Sequence, residues 1–221
     1  MRWKLPYEVF LARVRGGLED ELFLLRSLTT SRRTALDIGA NRGFYSYFMS
    51  KYFAHVVAFE PNVALTERLA EWNPGNLVIH NCALSSSNTT ADLYIPIVDG
   101  AEATGWASFD KNNLPGCETH RVLPVEVSHL DDFGLKDVSL IKIDVEGHEL
   151  EVLQGGEDII GKNRPTIIIE VKEKNRRDVS AYFERLGYRA YRVAGRQLIP
   201  LNDTIIGYHG TEENFVLKPD S

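Results

Sequence analysis

The sequence predicts an α/β fold built on a doubly wound, mainly parallel sheet, and three observations support this class. Short apolar segments alternate along the chain with amphipathic segments of helical length. The first apolar segment runs into a turn that contains Gly39 and Gly43, and the second ends on a single carboxylate, Glu60. In sheets of this kind, ligands bind in the crevice beyond the carboxyl ends of the strands. At 221 residues, the chain is long enough for one such domain.

The alternation predicts seven strands and four helices in a main domain at residues 34–221. The strands are predicted at residues 34–38, 55–60, 76–82, 138–144, 165–171, 188–193 and 212–217. The helices between them are predicted at residues 43–52, 63–73, 147–160 and 175–186. Strands that alternate with helices in this way form a parallel sheet with helices on both faces.

Residues 1–33 are predicted to form a helical extension that precedes the domain. One or two amphipathic helices are expected within residues 7–28, broken near Gly16-Gly17, with one apolar face formed by Leu22, Leu25 and Leu28. Basic residues raise the alternative of membrane contact, namely Arg13, Arg15 and Arg26. Acidic residues interrupt this basic character and favour packing against the domain instead, namely Glu19, Asp20 and Glu21.

Residues 86–130 interrupt the alternation, and we predict that they form an inserted segment covering the substrate cleft. Strands are expected at Ala91–Val98 and Val122–Leu130, with a loop at 99–105 between them. An insertion of this length between core elements is more often functional than idle. Its aromatic residues either stack on an acceptor or pack within a lid, and these are Tyr94, Trp106 and Phe109.

The turn after the first strand predicts a site for an adenosine-containing cofactor. Gly39 and Gly43 allow the backbone to approach a ligand, and Glu60 is placed to accept hydrogen bonds from ribose hydroxyls. A dinucleotide motif requires glycine where this chain has Asn41, and Asp37 would repel a diphosphate. Since Asp37 suits an ammonium group, S-adenosylmethionine fits better. Asn41 and the backbone near Gly39 are expected to contact its methionine moiety.

These motifs and a second motif at residues 140–155 resemble the class I S-adenosylmethionine-dependent methyltransferases, and within them the FkbM family. The second motif reads Leu-Ile-Lys-Ile-Asp-Val-Glu-Gly-His-Glu-Leu-Glu-Val-Leu-Gln-Gly. Residues 165–170 and 214–216 resemble later strands of the family, so the likeness covers about residues 34–217. The resemblance implies that the last strand is antiparallel to the others. It also implies that Ala83 or its neighbours contact the adenine.

FkbM enzymes methylate polyketide and sugar hydroxyls, so the resemblance implies O-methylation of a small-molecule or glycan hydroxyl. Such a reaction requires a positioned acceptor and removal of its proton. The candidate catalytic residues lie at or just after the ends of the fourth and fifth main-domain strands and are Asp144, Glu146, His148 and Glu170. Asp144 is also a candidate for the cofactor's ammonium group. The sequence leaves the general base open among these four residues.

Two neighbours of this motif have competing interpretations. Glu149 is either a helix cap or a ligand, because carboxylates are favoured at helix N-termini whatever their function. Lys142 precedes Asp144 by two residues, and we expect it to have a structural role, paired with an acid.

Composition excludes several functions. The net charge of -6 disfavours a nucleic-acid partner, which usually requires a basic face. No apolar run is long enough to span a bilayer, and no secretory signal is apparent. Cys82 and Cys117 form no metal-binding or disulfide pattern, so we expect no metal and a reducing cytoplasmic location. Homo-oligomerisation is left open.

Three alternative functions compete with O-methylation. An N-methyltransferase would need less help from a base. A nicotinamide oxidoreductase is disfavoured by Asn41. A cofactor-binding subunit without catalysis is disfavoured mildly by the acidic residues of the second motif.

Overall fold

The computed structural model describes residues 4–114, 116, 119–201, 205 and 214–220. In chain order its strands are β1 (Thr34–Ile38), β2 (His55–Phe59), β3 (Leu77–His80), β4 (Ala83–Leu84), β5 (Thr89–Val98), β6 (Ala101–Glu102), β7 (Thr119–Ser128), β8 (Val138–Ile143), β9 (Thr166–Glu170), β10 (Tyr188–Ala194), β11 (Gln197–Pro200) and β12 (Asn214–Pro219). The α-helices are α1 (Lys4–Val14), α2 (Glu21–Leu28), α3 (Phe44–Tyr52), α4 (Val63–Trp72), α5 (Glu149–Gly155), α6 (Glu157–Asn163) and α7 (Arg176–Arg185).

The main sheet has the spatial order β11-β10-β12-β9-β8-β1-β2-β3. The pairings of β1 with β2 and β8, of β2 with β3, and of β8 with β9 are parallel. β12 is inserted antiparallel between β9 and β10, as the resemblance implied. The α/β class with a mainly parallel, doubly wound sheet is therefore confirmed.

The sheet contains one strand more than the seven predicted. β11 pairs antiparallel with β10 through a tight turn at Gly195 and Arg196, both of which have positive φ angles of 55° and 61°. Turns with two positive φ values match the twist of adjacent strands and so favour short hairpins. The predicted sixth strand ends at residue 193, and the prediction includes neither this turn nor β11. The start of the predicted closing strand, residues 212 and 213, lies outside the described residues, as does Cys117.

Strand residues alternate between two apolar layers on opposite faces of the sheet. One layer packs against α5, α6 and α7, and it includes Leu36, Ile38, Ile141, Ile143, Ile167 and Ile169. The other packs against α1 to α4, and it includes Ala35, Leu140, Ile168 and Val216. Helices thus cover both faces of the sheet.

The strand order reverses at β1 and β8, and this position defines the crevice. In the register of these neighbouring strands, Asp37 lies opposite Lys142 and Ile38 opposite Ile143. The amide of Asp144 then donates a 3.0 Å hydrogen bond to the carbonyl of Ile38. The two sequence motifs consequently emerge side by side at one edge of the sheet.

The N-terminal residues contain two helices, α1 and α2, separated at Gly16-Gly17. Leu22, Leu25 and Leu28 of α2 are buried against the domain. Among the helices that the structure describes, none combines the length and the apolar composition needed to cross a bilayer.

Residues 83–128 form a second, four-stranded sheet with the order β4-β7-β5-β6. β5 and β7 pair antiparallel from Thr89 to Ile97, and their inner faces share a small core of Leu93, Ile95, Val125 and Val127. The predicted insertion is therefore a structured subdomain, and part of its 99–105 loop forms the short strand β6.

The predicted helix 147–160 is instead two helices, α5 and α6, which meet at Gly156. A Cβ atom at Gly156 would lie 2.8 Å from Cδ2 of Leu130, so any other residue at this position would require the side chain of Leu130 to shift. The continuous helix was a wrong prediction because this tertiary contact is not visible in the local pattern.

Candidate functional site

A cleft of about 730 Å3 opens at the carboxyl ends of β1, β2 and β8 and is covered by the second sheet. The main sheet and its loops contribute Ile38, Gly39, Asn41, Phe59, Glu60, Pro61, Asp144, Val145, Glu146 and His148. The segment from the residue before β4 onward contributes Cys82, Ala83, Leu84, Leu93, Thr104, Gly105, Ala107, Ser108 and Phe109.

A second pocket adjoins the cleft and shares Gly39, Asn41, Gly105 and Asp144 with it. We call it the charged pocket, because it is lined by Glu19, Asp37, Arg42, Lys142 and Asp144. The cleft and the charged pocket lie on either side of the turn after β1. A ligand with an apolar part and a zwitterionic part can therefore occupy both.

Glu60 lies at the end of β2 with its carboxylate buried in the cleft wall. The amide of Asn41 donates to Oε2 and the amide of Asn62 donates to Oε1, both at 2.8 Å. Burial nevertheless raises the pKa of Glu60 to about 7. Because each carboxylate oxygen has two lone pairs, both oxygens retain acceptor capacity toward a ligand.

Asp37 is buried near the carboxyl end of β1 and lines the charged pocket rather than the cleft. Its Oδ2 accepts a hydrogen bond of 2.5 Å from the hydroxyl of Ser46 in α3. Burial raises its pKa to about 6. Both predicted cofactor acids are thus present, but they lie in different halves of the site.

The glycines of the turn are required by packing. A Cβ atom at Gly39 would lie 1.9 Å from the carbonyl oxygen of Asp144, so the crossing of the two motif segments excludes every side chain. A Cβ atom at Gly43 would lie 2.4 Å from Cδ1 of Leu69 in α4. Gly43 begins α3 with a left-handed backbone and lines neither pocket. Its placement supports a packing role, and the predicted contact of Gly43 with a cofactor stays a prediction.

Lys142 and Asp144 form a charged pair at the boundary of the two pockets. Nζ of the fully buried Lys142 lies 3.6 Å from Oδ2 of Asp144 and donates to Oδ1 of Asn214 at 3.1 Å. Burial lowers the pKa of Lys142, but the nearby carboxylates, Asp144 first among them, raise it overall. Burial raises the pKa of Asp144, which Lys142 opposes. Lys142 is paired with an acid as predicted, and it also lines the charged pocket.

Glu146 lines the cleft in a left-handed conformation, with φ of 51°, which is rare for residues other than glycine. Its carbonyl oxygen accepts hydrogen bonds from Ser108 (3.0 Å) and Asn113 (3.1 Å), both in the insertion. Its Oε2 lies 3.3 Å from Nζ of Lys172. Burial raises its pKa to about 7, with Lys172 opposing this shift.

His148 also lines the cleft, immediately before α5. Its Nε2 lies 2.8 Å from the hydroxyl of Ser85, and its ring meets that of Phe109 edge-on at 5.1 Å. Burial lowers the pKa of His148, which favours the neutral imidazole near pH 7. His148 is therefore held on two sides by residues that the sequence analysis did not connect with it.

The other two acids of the region differ in position. Glu170 lies at the end of β9, where Nζ of Lys172 is 3.1 Å from its Oε1, and it lines neither pocket. Buried Glu149 accepts hydrogen bonds from the main-chain amide of Gly147 (2.7 Å) and from the side-chain amide of Asn175 (3.0 Å). Glu149 thus caps the loop, while Glu170 lies beside Asp144 and Glu146 and shares Lys172 with Glu146.

Carboxylate oxygens of Asp144, Glu146 and Glu170 all lie within 4.8 Å of one another, a spacing compatible with a metal ion. The ammonium of Lys172 already lies within 3.3 Å of Glu146 and 3.1 Å of Glu170. Lys142 approaches Asp144 from the other side. Two lysines consequently supply positive charge to this cluster.

The insertion forms one wall of the cleft, but only one of its three candidate aromatic residues lines it. Phe109 faces the cleft beside His148. Trp106 is 47% exposed, and the ring of Tyr94 packs against His120 and under the ammonium of Lys111. Thr104 donates a 3.2 Å hydrogen bond to Oδ1 of Asn41, which connects the insertion to the turn after β1.

Glu19 is a site residue that the sequence analysis treated only as a charge in the extension. It lies between α1 and α2 and lines the charged pocket. The hydroxyl of Tyr45 donates a 2.6 Å hydrogen bond to its Oε2. No local pattern marks Glu19, since its position depends on how the extension folds over α3.

Comparison with known proteins identifies the family. A family model described as the methyltransferase FkbM domain matches residues 37–190, which is more than half of the chain. The chain belongs to the FkbM methyltransferase family. The match begins at Asp37 and includes the cleft acids, while Glu19 and Asn214 lie outside it.

Curated relatives of this FkbM protein include two enzymes whose names refer to sugar chemistry or a hydroxyl position. The hexuronic acid methyltransferase AglP of Haloferax volcanii is 29% identical over 160 residues, covering 67% of this chain and 60% of the relative. The 2-O-methyltransferase NoeI of Sinorhizobium fredii is 30% identical over 145 residues, covering 58% of this chain and 59% of the relative. The chain thus spans about three-fifths of the length of these relatives.

Solved structures agree on the fold. A methyltransferase FkbM from Methylobacillus flagellatus superposes with a TM-score of 0.58 at 15% identity, covering 96% of this chain and 53% of the other. A TehB-like SAM-dependent methyltransferase from Corynebacterium glutamicum gives a TM-score of 0.54 at 14% identity, covering 98% and 100%. At these identities the likeness concerns the fold alone.

Proposed function

We propose that this FkbM protein transfers a methyl group from S-adenosylmethionine to a hydroxyl of a sugar or related small molecule. The observation that supports it most is that Glu60 and Glu146 line the same cleft. Glu60 is suited to bind a ribose, and Glu146 is suited to accept a proton. A site with both groups can hold the cofactor and activate an acceptor beside it.

The residues present fit S-adenosylmethionine. Buried Glu60 offers carboxylate oxygens to the ribose hydroxyls, and apolar walls for the adenine are supplied by Phe59, Ala83 and Leu84. The charged pocket offers groups of both signs to an amino-acid moiety, with Asp37 for the ammonium and Lys142 for the carboxylate. When bound, the cofactor supplies an electrophilic methyl group.

Glu146 is the proton acceptor in this proposal. Its pKa of about 7 matches the pH at which it would act, and a general base works best under that condition. Ser108 and Asn113 fix its carbonyl, so its left-handed backbone is held from the insertion side. Strained backbone at a cleft residue is typical of positions with a functional requirement.

Asp144, His148 and Glu170 have supporting roles in the proposal. Asp144 lies between the pockets and orients ligands in both. His148 borders the acceptor side with Phe109. Glu170 holds Lys172, which in turn neutralises the charge of Glu146 when that carboxylate is ionised.

The acceptor class rests on the relatives and on the chemistry of the cleft. The names of two relatives specify hexuronic acid and 2-O methylation. A hydroxyl acceptor needs a base more than an amine does, and Glu146 provides one. We therefore place a sugar hydroxyl first among the acceptors to be tested.

The test is to incubate the purified protein with methyl-labelled S-adenosylmethionine and a panel of free sugars, uronic acids and oligosaccharides. Glu146→Gln should lower the turnover number by about 10²–10⁴-fold, the usual contribution of one positioned base. Glu173→Gln is the matched control, because that glutamate is exposed on the surface. Binding of S-adenosylhomocysteine, followed by calorimetry, should change little in both variants.

Specific results contradict the proposal. Transfer to amines that is equally fast in Glu146→Gln would indicate N-methylation. Cofactor binding without transfer to any acceptor in the panel or in glycan extracts would indicate a non-catalytic subunit. Binding of NAD in preference to S-adenosylhomocysteine would overturn the cofactor assignment.

A further inference from the structure

Helix α1 has two apolar faces, and the residues that the structure describes cover only one of them. Leu5 and Val9, four residues apart, are buried against the domain. Tyr7, Phe10 and Val14 lie at spacings of three and four residues on the opposite face, and they are 60%, 59% and 68% exposed. These three residues, which we call the outer face of α1, form an apolar stripe on the surface.

Such a stripe is unusual for a surface helix. A helix that packs on a domain normally presents polar residues to water on the side away from the core. Exposed aromatic and aliphatic side chains that cluster on one element mark sites of interaction. The outer face of α1 is therefore a candidate binding surface.

Basic residues border the outer face of α1. Lys4 and Arg13 are exposed within the helix, and Arg15 follows its end. None of these three side chains lies within ion-pair distance of a carboxylate in the part of the chain that the structure describes. The acid of the helix, Glu8, pairs instead with Arg68 of α4. Uncompensated positive charge thus surrounds the stripe in a chain whose net charge is -6.

We propose that α1 docks on the surface of an anionic lipid bilayer. Aromatic side chains such as Tyr7 and Phe10 insert at the level of the headgroups, while flanking lysine and arginine side chains pair with lipid phosphates. The alternative of a two-fold dimer through the same face is disfavoured by charge, because the symmetry brings the basic border of one copy against the basic border of the other. A bilayer with negative headgroups complements both the apolar stripe and its border.

Docking through α1 also has a direct relation to the cleft. Leu5 on the inner face of α1 packs near Gly43, where α3 begins, and Glu8 pairs with Arg68 of α4. The turn that carries Asn41 immediately precedes Gly43. A membrane contact at α1 therefore holds the ligand site close to the bilayer surface.

The experiment is vesicle flotation with the full chain. One vesicle set contains equal amounts of phosphatidylglycerol and phosphatidylcholine, and the other contains phosphatidylcholine alone. We expect binding to the anionic vesicles that weakens as salt is raised, and little binding to the neutral ones. The paired substitution of Arg13→Gln and Arg15→Gln should weaken binding about 30-fold, since each basic residue contributes a factor of about five.

Two variants separate docking from misfolding. Phe10→Ser should abolish flotation, whereas Val122→Ser, at an exposed apolar position on β7, should float as the unaltered protein does. Melting temperature and affinity for S-adenosylhomocysteine, measured on the same preparations, report whether each variant is folded.

Three results overturn the proposal. These are the absence of binding to anionic vesicles, binding that is equal for Phe10→Ser and Val122→Ser, and self-association without lipid that Phe10→Ser abolishes. The last result would assign the outer face to a second copy of the chain. None of them bears on methyl transfer, which is assayed separately.

Discussion

The main-chain amide of Asn41 donates a 2.8 Å hydrogen bond to Oε2 of Glu60, which joins the turn after β1 to the end of β2. The other oxygen of this carboxylate accepts from Asn62. Glu60 therefore shapes the cofactor turn in addition to presenting its carboxylate to the cleft. Substitutions of Glu60 can therefore affect both the shape of the turn after β1 and the binding of a ligand in the cleft.

Glu60→Ala should weaken affinity for S-adenosylhomocysteine roughly 10- to 150-fold, because a buried charged hydrogen-bond partner contributes about 1.5–3 kcal/mol. Glu60→Gln should also weaken it, since its amide group must face a main-chain donor. Calorimetry measures both, with Glu67→Ala on the exposed side of α4 as the control. Unchanged affinity in Glu60→Ala would remove the ribose from this position.

Gly39→Ala should destabilise the fold as well as the site. The added Cβ would lie 1.9 Å from the carbonyl oxygen of Asp144, in a residue whose φ is already +79°. Gly75 has a φ of +97° but nothing near its Cβ position, so Gly75→Ala has only the backbone strain. We expect the free energy of unfolding to fall by about 2–5 kcal/mol in Gly39→Ala and by about 1–2 kcal/mol in Gly75→Ala. Urea unfolding measures both losses. Equal losses would show that the strand ends separate easily.

The pKa of Glu146 predicts a pH dependence of stability in the ligand-free protein. Burial raises this pKa from 4.5 to about 7, so the folded state holds a proton that the unfolded state releases. The contribution is fully present below pH 4.5 and is lost as the pH rises through about 7. His148, whose pKa is lowered, acts in the opposite direction at acid pH.

A comparison with Glu146→Gln isolates the effect of Glu146 from the other groups. Glutamine stays neutral, so the melting temperature of the variant should rise relative to the unaltered protein between pH 5 and 8. The difference should then stay constant at higher pH. A difference that does not change with pH would mean that Glu146 is ionised throughout, held by Lys172.

Phe109→Ala should raise the Michaelis constant for the acceptor and leave cofactor affinity intact. Its ring faces the cleft beside His148, on the side away from the charged pocket. Trp106→Ala is the matched control, because this ring is 47% exposed and does not line the cleft. Steady-state kinetics and melting temperatures on both variants test this. Equal acceptor kinetics in the two variants would exclude Phe109 from the acceptor site.

Much of the fold was predictable because the strands are short, apolar and bounded by turn residues. The ends of β1, β2 and β8 carry Asp37, Glu60 and Asp144, and parallel topology alone brings such ends to one edge. What the sequence could not reveal depends on close tertiary approach. The break at Gly156, the packing role of Gly43 and the capping role of Glu149 each follow from a neighbour distant in sequence.

The candidate site was also predictable only in part, namely for the residues that belong to a local motif. The local motif identified Glu146 and His148, but their partners Ser108, Asn113 and Ser85 come from the second sheet. Glu19 comes from the extension. Side chains from other segments of the chain have no fixed sequence separation from the motif residues that they contact. Their assignment therefore requires coordinates.

The hydrogen bond from Thr104 to Asn41 joins the insertion, where we propose that the acceptor binds, directly to the turn after β1, where we propose that the cofactor binds. A ligand that orders one side of this hydrogen bond should change the free energy of ligand binding on the other side. By thermodynamic linkage, this coupling is reciprocal. Whatever factor the cofactor adds to acceptor affinity, the acceptor must add to cofactor affinity. The order in which the two ligands bind is then a kinetic property of the Thr104–Asn41 junction. Replacement of S-adenosylhomocysteine by S-adenosylmethionine should be slower while a bound acceptor keeps that junction closed.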